Sequence, residues 1–468
     1  MKTHAVILAA GLGKRMKSDL PKVLHPVLGD PSLLWVLRSL PPEVEGAVLV
    51  LHHGKEQVET ALRAWEADGL LPCPVTTVDQ GEPLGTGHAV QQAAATLDRL
   101  GAERVVILCG DVPLLTRETL QRLMDHPAGL LAMDLDDATG YGRVLEHGNG
   151  TLAGLVEHKD ASEAQRAIRR ANGGAYALPW APLRSALAGL KADNAQKEYY
   201  LTDAVVAAAA ACPVQVVACA AEELLGMNGR ADQATLQALA RNRINQAWME
   251  AGITFLDPAT TLVGPRAALG RDVVLEPGAR LEGHVVIGEG TRIGQGCILT
   301  DCEVGQGAEL RPYCVATRSR IGSGAKVGPF AHLREGTELE TDVHVGNFVE
   351  TKKTTLRRGA KANHLTYLGD CEVGERSNIG AGCITCNYDG VNKHRTVIGR
   401  NVFVGSDCQL VAPVSLGDDS LIGAGTTVTQ DVPAGALALS RSPMLMKEGA
   451  ALQLREKLLA LKLRAQTR

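Results

Sequence analysis

An apolar run, Ala5–Ala10, opens into Gly11-Leu12-Gly13-Lys14-Arg15-Met16, and Pro21-Lys22-Val23-Leu24 follows. Backbone N–H groups in a Gly-rich turn can approach phosphate oxygens, and Arg15 and Lys22 can neutralise their charge. The turn lacks the third Gly of a dinucleotide fingerprint, and its Gly-Lys lacks the Ser or Thr of a P-loop. Alone, it would serve a plain tight bend equally well. More pieces lie in the same half of the chain. Gln80 to Ala89, with Gly85 and Thr86, is a second Gly-rich loop ahead of a helical stretch. Cys109-Gly110-Asp111-Val112-Pro113 follows the apolar run Arg104–Leu108. That places Asp111 just past a strand end, where a nucleotide-bound Mg²⁺ would take a hard oxygen ligand. Gly140-Tyr141-Gly142-Arg143, Val156-Glu157-His158-Lys159, Asn172-Gly173-Gly174 and Glu198–Asp203 complete the set.

A second group lies far downstream. Glu350-Thr351-Lys352-Lys353, Asn363-His364-Leu365-Thr366-Tyr367-Leu368-Gly369 and Cys386-Asn387-Tyr388-Asp389-Gly390-Val391-Asn392-Lys393 gather cations, His, Tyr and Asn. A neutral imidazole such as that of His364 can take a proton from an attacking amine. Alone, His364 reads as a hydrogen-bonded surface residue.

The elements that must position these residues fall into two kinds. Residues 1 to 230 alternate strands and helices, with buried strands expected at Ala5–Ala10, Gly46–Leu51, Pro74–Val78 and Arg104–Leu108. Such βα alternation implies a mostly parallel, Rossmann-like sheet with ligands on the loops beyond the strands' carboxyl ends. Residues 231–251 show helical spacing (Leu236, Leu239, Ile244, Trp248) and stop before Gly252, as a connecting helix would. From there to residue 468 the period changes. Ile321, Val327, Leu333, Leu339 and Val345 recur every six residues, as do Ile398, Val404, Leu410, Leu416, Ile422 and Val428. Ile287, Ile293 and Leu299 keep the same beat. Helices need apolar recurrence at three and four and strands at two, so a period of six specifies a solenoid of short strands over about 262–440. Gly follows many of these aliphatics, as at Gly322, Gly328, Gly346, Gly399, Gly405, Gly417 and Gly423, which suits tight corners with positive φ and no room for bulk. Between Ile379 and Ile398 the beat slips by one residue, so the segment containing Asn387–Lys393 is expected to leave the coil as a loop. Lys447–Arg468 is a basic amphipathic segment, expected to cap the solenoid or pack between subunits.

Composition excludes several classes. At 468 residues the chain exceeds one ordinary core, so two or three domains are expected. A net charge of −4 argues against general nucleic-acid binding, which needs a basic footprint. Eleven scattered Cys, an odd number without framework spacing, point to a reducing cytoplasm. The single C-x-x-C, Cys383 and Cys386, lacks the second pair of a zinc site and reads as small buried thiols. No stretch approaches the roughly 20 apolar residues of a membrane span.

Taken together, these motifs resemble the bacterial bifunctional UDP-N-acetylglucosamine pyrophosphorylase/glucosamine-1-phosphate N-acetyltransferases, over nearly the whole chain. The resemblance implies an α/β nucleotidyltransferase domain joined by a helix to a left-handed parallel β-helix of hexapeptide repeats. It implies UTP, acetyl-CoA and glucosamine-1-phosphate as substrates, Mg²⁺ held by Asp111 and Asn228, and a cytoplasmic homotrimer. Arg15 and Lys22 would stabilise phosphate charge. Leu8, Ala9, Ala10, Gly11, Lys22, Gln80, Gly85, Thr86, Cys109, Gly110, Asp111, Gly142, Glu157, Asn172 and Asn228 would bind the nucleotide sugar. His364 would be the general base of acetyl transfer. Arg334, Lys352, Tyr367, Asn378 and Lys393 would hold the sugar phosphate, and Ala381, Asn387, Tyr388, Ser406, Ala424 and Arg441 the acetyl-CoA. Two residues depart from the pattern: Lys14 and Gly173 stand where Thr is common. Two other readings stay open on the sequence: a nucleotidyltransferase for another sugar phosphate with a solenoid that only regulates or assembles, and a non-catalytic scaffold that kept nucleotide binding.

Overall fold

The computed structural model describes residues 1–441 and 443–466. They divide into two compact units, Met1–Ala267 with Arg280–His284, and Ala268–Ala279 with Val285–Arg468.

In the first unit, one sheet runs Gln215–Ala218, Gly129–Asp134, Arg170–Pro179, Arg104–Cys109, Thr3–Leu8, Val44–Leu51, Val75–Asp79. Thr3–Leu8 pairs in parallel with both neighbours, and Arg170–Pro179 is the antiparallel insertion. The central strands are continuous apolar runs because both faces are covered. Ala5 and Ile7 join one core with Leu33, Leu37, Val58, Leu62, Leu120 and Leu123 of three helices, Ser32–Arg38, Lys55–Ala67 and Arg117–Met124. Val6, Val105 and Ile107 join the other, with Val90, Leu97, Leu183 and Val205 from Thr86–Leu100, Trp180–Ala188 and Leu201–Ala209. The first strand stops at Leu8, two residues before the sequence suggests. Ala9 and Ala10 are buried, yet they belong to the turn, because the ladders on both sides end at Leu8. The helix Arg230–Glu250 buries Leu236 and Ala240, and Asn245 Nδ2 donates to the carbonyls of Pro258 and Thr261 at 2.9 and 3.0 Å.

In the second unit each short strand pairs in parallel with the third strand onward, so every coil has three faces. Ile287, Ile293, Leu299, Ile321, Val327, Leu333, Leu339 and Val345 are all buried, as are Ile398, Val404, Leu410, Leu416, Ile422 and Val428. Each such side chain contributes about 1.5–3 kcal/mol of burial. Inward hydroxyls are satisfied by the next coil: Thr354 Oγ1 donates to Leu368 O at 2.8 Å and Ser377 Oγ to Gly399 O at 2.7 Å.

Of the two causes expected for the glycines after these aliphatics, the lack of room holds and the positive φ does not. Of the seven named, only Gly328 has positive φ. At Gly346 a Cβ would stand 1.8 Å from Asn363 O, so the next coil's backbone forbids it. Positive φ falls on another set, Phe330, Phe348, Leu365, Gly382, Asp407 and Gly425, which marks one corner of successive coils. The rings of Tyr313, Phe330 and Phe348 stack along this corner at 5.3 and 5.5 Å. The C-terminal segment forms the helix Ala450–Gln466, with Leu452, Leu458, Leu459 and Leu461 each more than half exposed. Thr467 and Arg468, the end of the expected segment, lie outside the described residues. No helix among the described residues is long and apolar enough to cross a membrane.

Candidate functional site

Loops at the carboxyl ends of the central strands enclose a cavity of about 410 Å³ in the first unit. Leu8, Ala9, Ala10, Gly11, Lys22, Gln80, Gly85, Thr86, Cys109 and Asp111 line it together. Gly85 has φ 118°, and a Cβ there would lie 2.6 Å from Tyr199 O, so the second Gly-rich loop depends on this residue. Gln80 Nε2 donates to Gly85 O at 3.0 Å and ties the loop to its strand. Gly110 packs beneath: its N–H donates to Leu8 O at 2.9 Å, and a Cβ would press on Ala9 at 3.3 Å. Burial pushes the Cys109 thiol up to about 12, so it is an inert wall rather than a nucleophile.

Lys22 is held in a short 3-10 turn after Pro21. Its ammonium pairs with the Asp111 carboxylate and lies 3.5 Å from Asn228 Oδ1. A carboxylate and an amide oxygen thus converge on one cation, the donor set a hard divalent ion would use. Asn228 is itself fixed by Asp232, whose Oδ2 accepts from the N–H groups of Asn228 and Gly229 at 3.0 and 2.9 Å. Sequence reasoning missed Asp232, although an acidic residue three positions after Gly229 is a helix-capping signal. It also gave no role to Glu198, which lines the cavity.

Gly142, Glu157 and Asn172 form a neighbouring group. Asn172 N–H donates to Gly142 O at 2.9 Å, and Glu157 Oε2 lies 3.6 Å from where a Gly142 Cβ would stand. Burial raises the Glu157 carboxyl above its ordinary range, opposed by the hydrogen bond from Thr202 at 3.1 Å. Arg15 is exposed on the turn and is not among the residues lining the cavity. Gly173 is explained by packing: a Cβ would sit 2.3 Å from Leu224 Cδ1, so Leu224 fills the space a larger residue would need.

In the second unit, His364 lies at the corner marked by positive φ, one residue before Leu365. It is exposed, stands in register with Asn347, and its Nδ1 is 3.3 Å from Asn347 Oδ1. Ala381, Ser406 and Ala424 take the equivalent position on the next coils, each just before Gly382, Asp407 and Gly425. Their corner is knitted by Gly382 N–H to Leu365 O, Asp407 N–H to Ala381 O and Gly425 N–H to Ser406 O, at 3.0, 2.7 and 2.8 Å. Arg441 Nε donates to Ala424 O at 3.0 Å. Along this ladder Ser406 and Ala424 are exposed and Ala381 is half-buried. Asn378 is half-buried on the strand before this corner, between Lys361 and Phe403.

The remaining residues sit at the other edge of the adjoining face. Arg334 Nη1 donates to Glu350 Oε1 at 2.7 Å, and Glu350 stands in register with Tyr367. Lys352 Nζ is 3.8 Å from Glu335. The loop expected from the broken beat is present: Tyr388 and Val391 are exposed, and Asn387 Nδ2 donates to Asp370 Oδ2 at 2.6 Å. Lys393 lines a cleft with Lys353, Asp370 and His394. Cys383 is buried, its thiol donating to Gly405 O at 3.0 Å. The described residues contain no cluster of three or more His, Cys, Asp or Glu placed to hold a metal.

Comparison with known proteins separates the same regions. Residues 5–175 match the MobA-like NTP transferase domain, 259–356 the GMPPB C-terminal domain, and 395–430 the hexapeptide repeat of succinyl-transferase. Over 448 residues the chain is 48% identical to a bifunctional protein GlmU of Methylibium petroleiphilum, covering 93% of this chain and 96% of the relative. A protein of the same name from Cupriavidus pinatubonensis is 46% identical, covering 94% and 97%. Another from Stutzerimonas stutzeri is 47% identical, again covering 94% and 97%.

Proposed function

The chain belongs to the family of bifunctional GlmU proteins, and from that membership we propose a two-step synthesis of UDP-N-acetylglucosamine. The left-handed β-helix transfers acetyl from acetyl-CoA to the amine of glucosamine-1-phosphate, releasing CoA. The nucleotidyltransferase unit then transfers uridylyl from UTP to N-acetylglucosamine-1-phosphate. The sugar-phosphate oxygen attacks the α-phosphorus and pyrophosphate leaves. We assign uridylyl transfer to 1–230, the connection to 231–251 and acetyl transfer to 252–468.

The observation that carries the first site is the convergence of ten proposed nucleotide-contact residues on one cavity. Gly11 and Gly85 let backbone approach the phosphates, while Lys22 and Arg15 oppose the charge that builds as pyrophosphate departs. Asp111 and Asn228 would hold Mg²⁺, which when bound neutralises phosphate charge. Gly142, Glu157 and Asn172 would orient the sugar.

At the second site His364 takes the amine proton as the nitrogen attacks the thioester carbonyl, and Asn347 orients the ring through Nδ1. Arg334, Lys352, Tyr367, Asn378 and Lys393 would bind the phosphate and sugar. Ala381, Ser406, Ala424 and Arg441 with Asn387 and Tyr388 would line the acetyl-CoA site. The acting form is a homotrimer in the cytoplasm, where all three substrates are small molecules. Purified protein given glucosamine-1-phosphate, acetyl-CoA, UTP and Mg²⁺ should yield UDP-N-acetylglucosamine by mass. Omitting acetyl-CoA should stop the product, and supplying N-acetylglucosamine-1-phosphate should restore it. Product formed only from the pre-acetylated sugar would reduce the solenoid to assembly or regulation.

A further inference from the structure

A second cavity in the nucleotidyltransferase unit, of about 610 Å³, shares no lining residue with the catalytic one. Trp35, Leu70 and Leu71 form its apolar wall, and Arg38, Arg117 and Arg243 bring three guanidiniums to it, against one carboxylate, Glu118. The arginines are not equally occupied. Arg38 pairs with buried Asp30 at 3.4 Å, and Arg266 meets the same carboxylate at 3.0 Å. Arg117 and Arg243 donate only to main-chain carbonyls, those of Arg38 at 3.1 Å and Leu114 at 2.7 Å. Among the described residues neither forms an ion pair. Glu223, the next carboxylate near Arg243, is engaged by Thr116 and Thr119 at 2.8–3.0 Å. Trp35 Nε1 donates to Val27 O at 2.9 Å, which fixes the ring at the cavity wall.

Guanidinium groups without carboxylate partners on a concave surface are matched by an oxyanion, and the planar fork suits phosphate in particular. An indole with leucines beside it adds a surface for an apolar or aromatic body. The volume falls in the range of small-molecule sites. We propose that this cavity is a second ligand site, taking a small phosphomonoester whose phosphate lies between Arg117 and Arg243 and whose apolar or aromatic portion packs on Trp35.

Phenyl phosphate titrated into the full-length protein, with inorganic phosphate and phenol as separate controls, tests this by calorimetry and by Trp fluorescence. Phenyl phosphate should bind saturably and more tightly than either control. The pair Arg117→Gln/Arg243→Gln should weaken it about ten-fold or more, as loss of charge-assisted hydrogen bonds requires. Lys22→Ala, in the catalytic cavity, should leave it unchanged. The reverse pattern, loss in Lys22→Ala with the Arg variants unaffected, would assign the ligand to the catalytic cavity and overturn the proposal. So would the absence of saturable binding. If the double variant loses its native circular dichroism, the exposed Arg117→Gln alone carries the comparison. Because binding is read without turnover, its failure is distinct from any failure of the assigned activity.

Discussion

At the scale of single residues, the two sites differ in how their key group is held. Asp111 is restrained by the Lys22 ammonium and shares that cation with Asn228, so its charge is locked into a small polar cluster. His364 is exposed, and its Nδ1 lies 3.3 Å from Asn347 Oδ1. His364→Ala should therefore lower acetyl transfer by about 10²–10⁴-fold, the usual contribution of a general base, with uridylyl transfer unchanged. Asp111→Asn should do the opposite, removing about 10²–10³-fold of uridylyl transfer while CoA release stays at the parent rate. Both are read by assaying the two half-reactions separately on one preparation, and loss of both activities in either folded variant would refute the two-site assignment. Gly173 shows the limit of reading single residues. Its departure from the family pattern looks like a change at the sugar, yet Leu224, 51 positions away and invisible as a neighbour in sequence, supplies the steric reason.

At the scale of elements, the six-residue beat was legible because burial has one repeat per face, and every aliphatic that it marks is buried. The corners were less legible. Gly after the aliphatic suggests a positive φ, but the positive φ comes three residues after the aliphatic, on Gly, Asp or Asn at many corners (Gly290, Gly296, Asp342, Asn401, Asp407) and on Phe348 and Leu365 at others. The antiparallel strand Arg170–Pro179 has no counterpart among the strands expected from the sequence, and Asn172-Gly173-Gly174 forms the irregular stretch where its pairing with Gly129–Asp134 shifts register. The broken beat did locate the loop after Cys386, and the loop is held from within. Asp389 accepts from the N–H groups of Val391 and Asn392 at 2.8 and 2.7 Å, and from His394 Nε2 at 2.7 Å. These bonds hold its carboxyl well below the usual range. A depressed carboxylate stabilises the fold above its unfolded pKa of ~3.9, and that stabilisation drains away as pH falls through the folded value. The protection of the Val391 and Asn392 amides, taken relative to the intrinsic exchange rate at each pH, should hold at neutral pH and fall as the pH drops below ~4 towards the folded value. Asp389→Ala should lose this protection at every pH and raise the KM for acetyl-CoA about ten-fold, roughly the worth of one or two lost hydrogen bonds. Retained protection in that variant would mean that the coil, not Asp389, shapes the loop.

At the scale of the whole molecule, the residues proposed for acetyl transfer divide between two edges of one solenoid face. His364, Ala381, Ser406 and Ala424 follow one corner. Asn387 bonds to Asp370 and Lys393 lies beside Lys353, both at the next corner. Five or six extended residues separate the edges, about 17–20 Å at ~3.3 Å per residue. A base at the amine and a cation at the phosphate must meet on one monosaccharide, whose reach is less than half that span. On the proposed assignment one chain would not close its own site, and a trimer would if the Asn387–Lys393 loop of one subunit reached the His364 corner of the next. Homotrimers of His364→Ala and of Lys393→Ala should each be poor acetyltransferases. Co-expressed in equal amounts and assembled at random, they should recover about a quarter of the parent activity. In a closed ring each site draws its base and its cation from adjacent subunits, and both are intact with a probability of about one in four. Recovery should vanish when the two substitutions are placed in the same chain and mixed with either single variant. Mixed trimers no more active than the two parents would place His364 and Lys393 in the same chain's site, and would require the loop to fold back across the face it now leaves open.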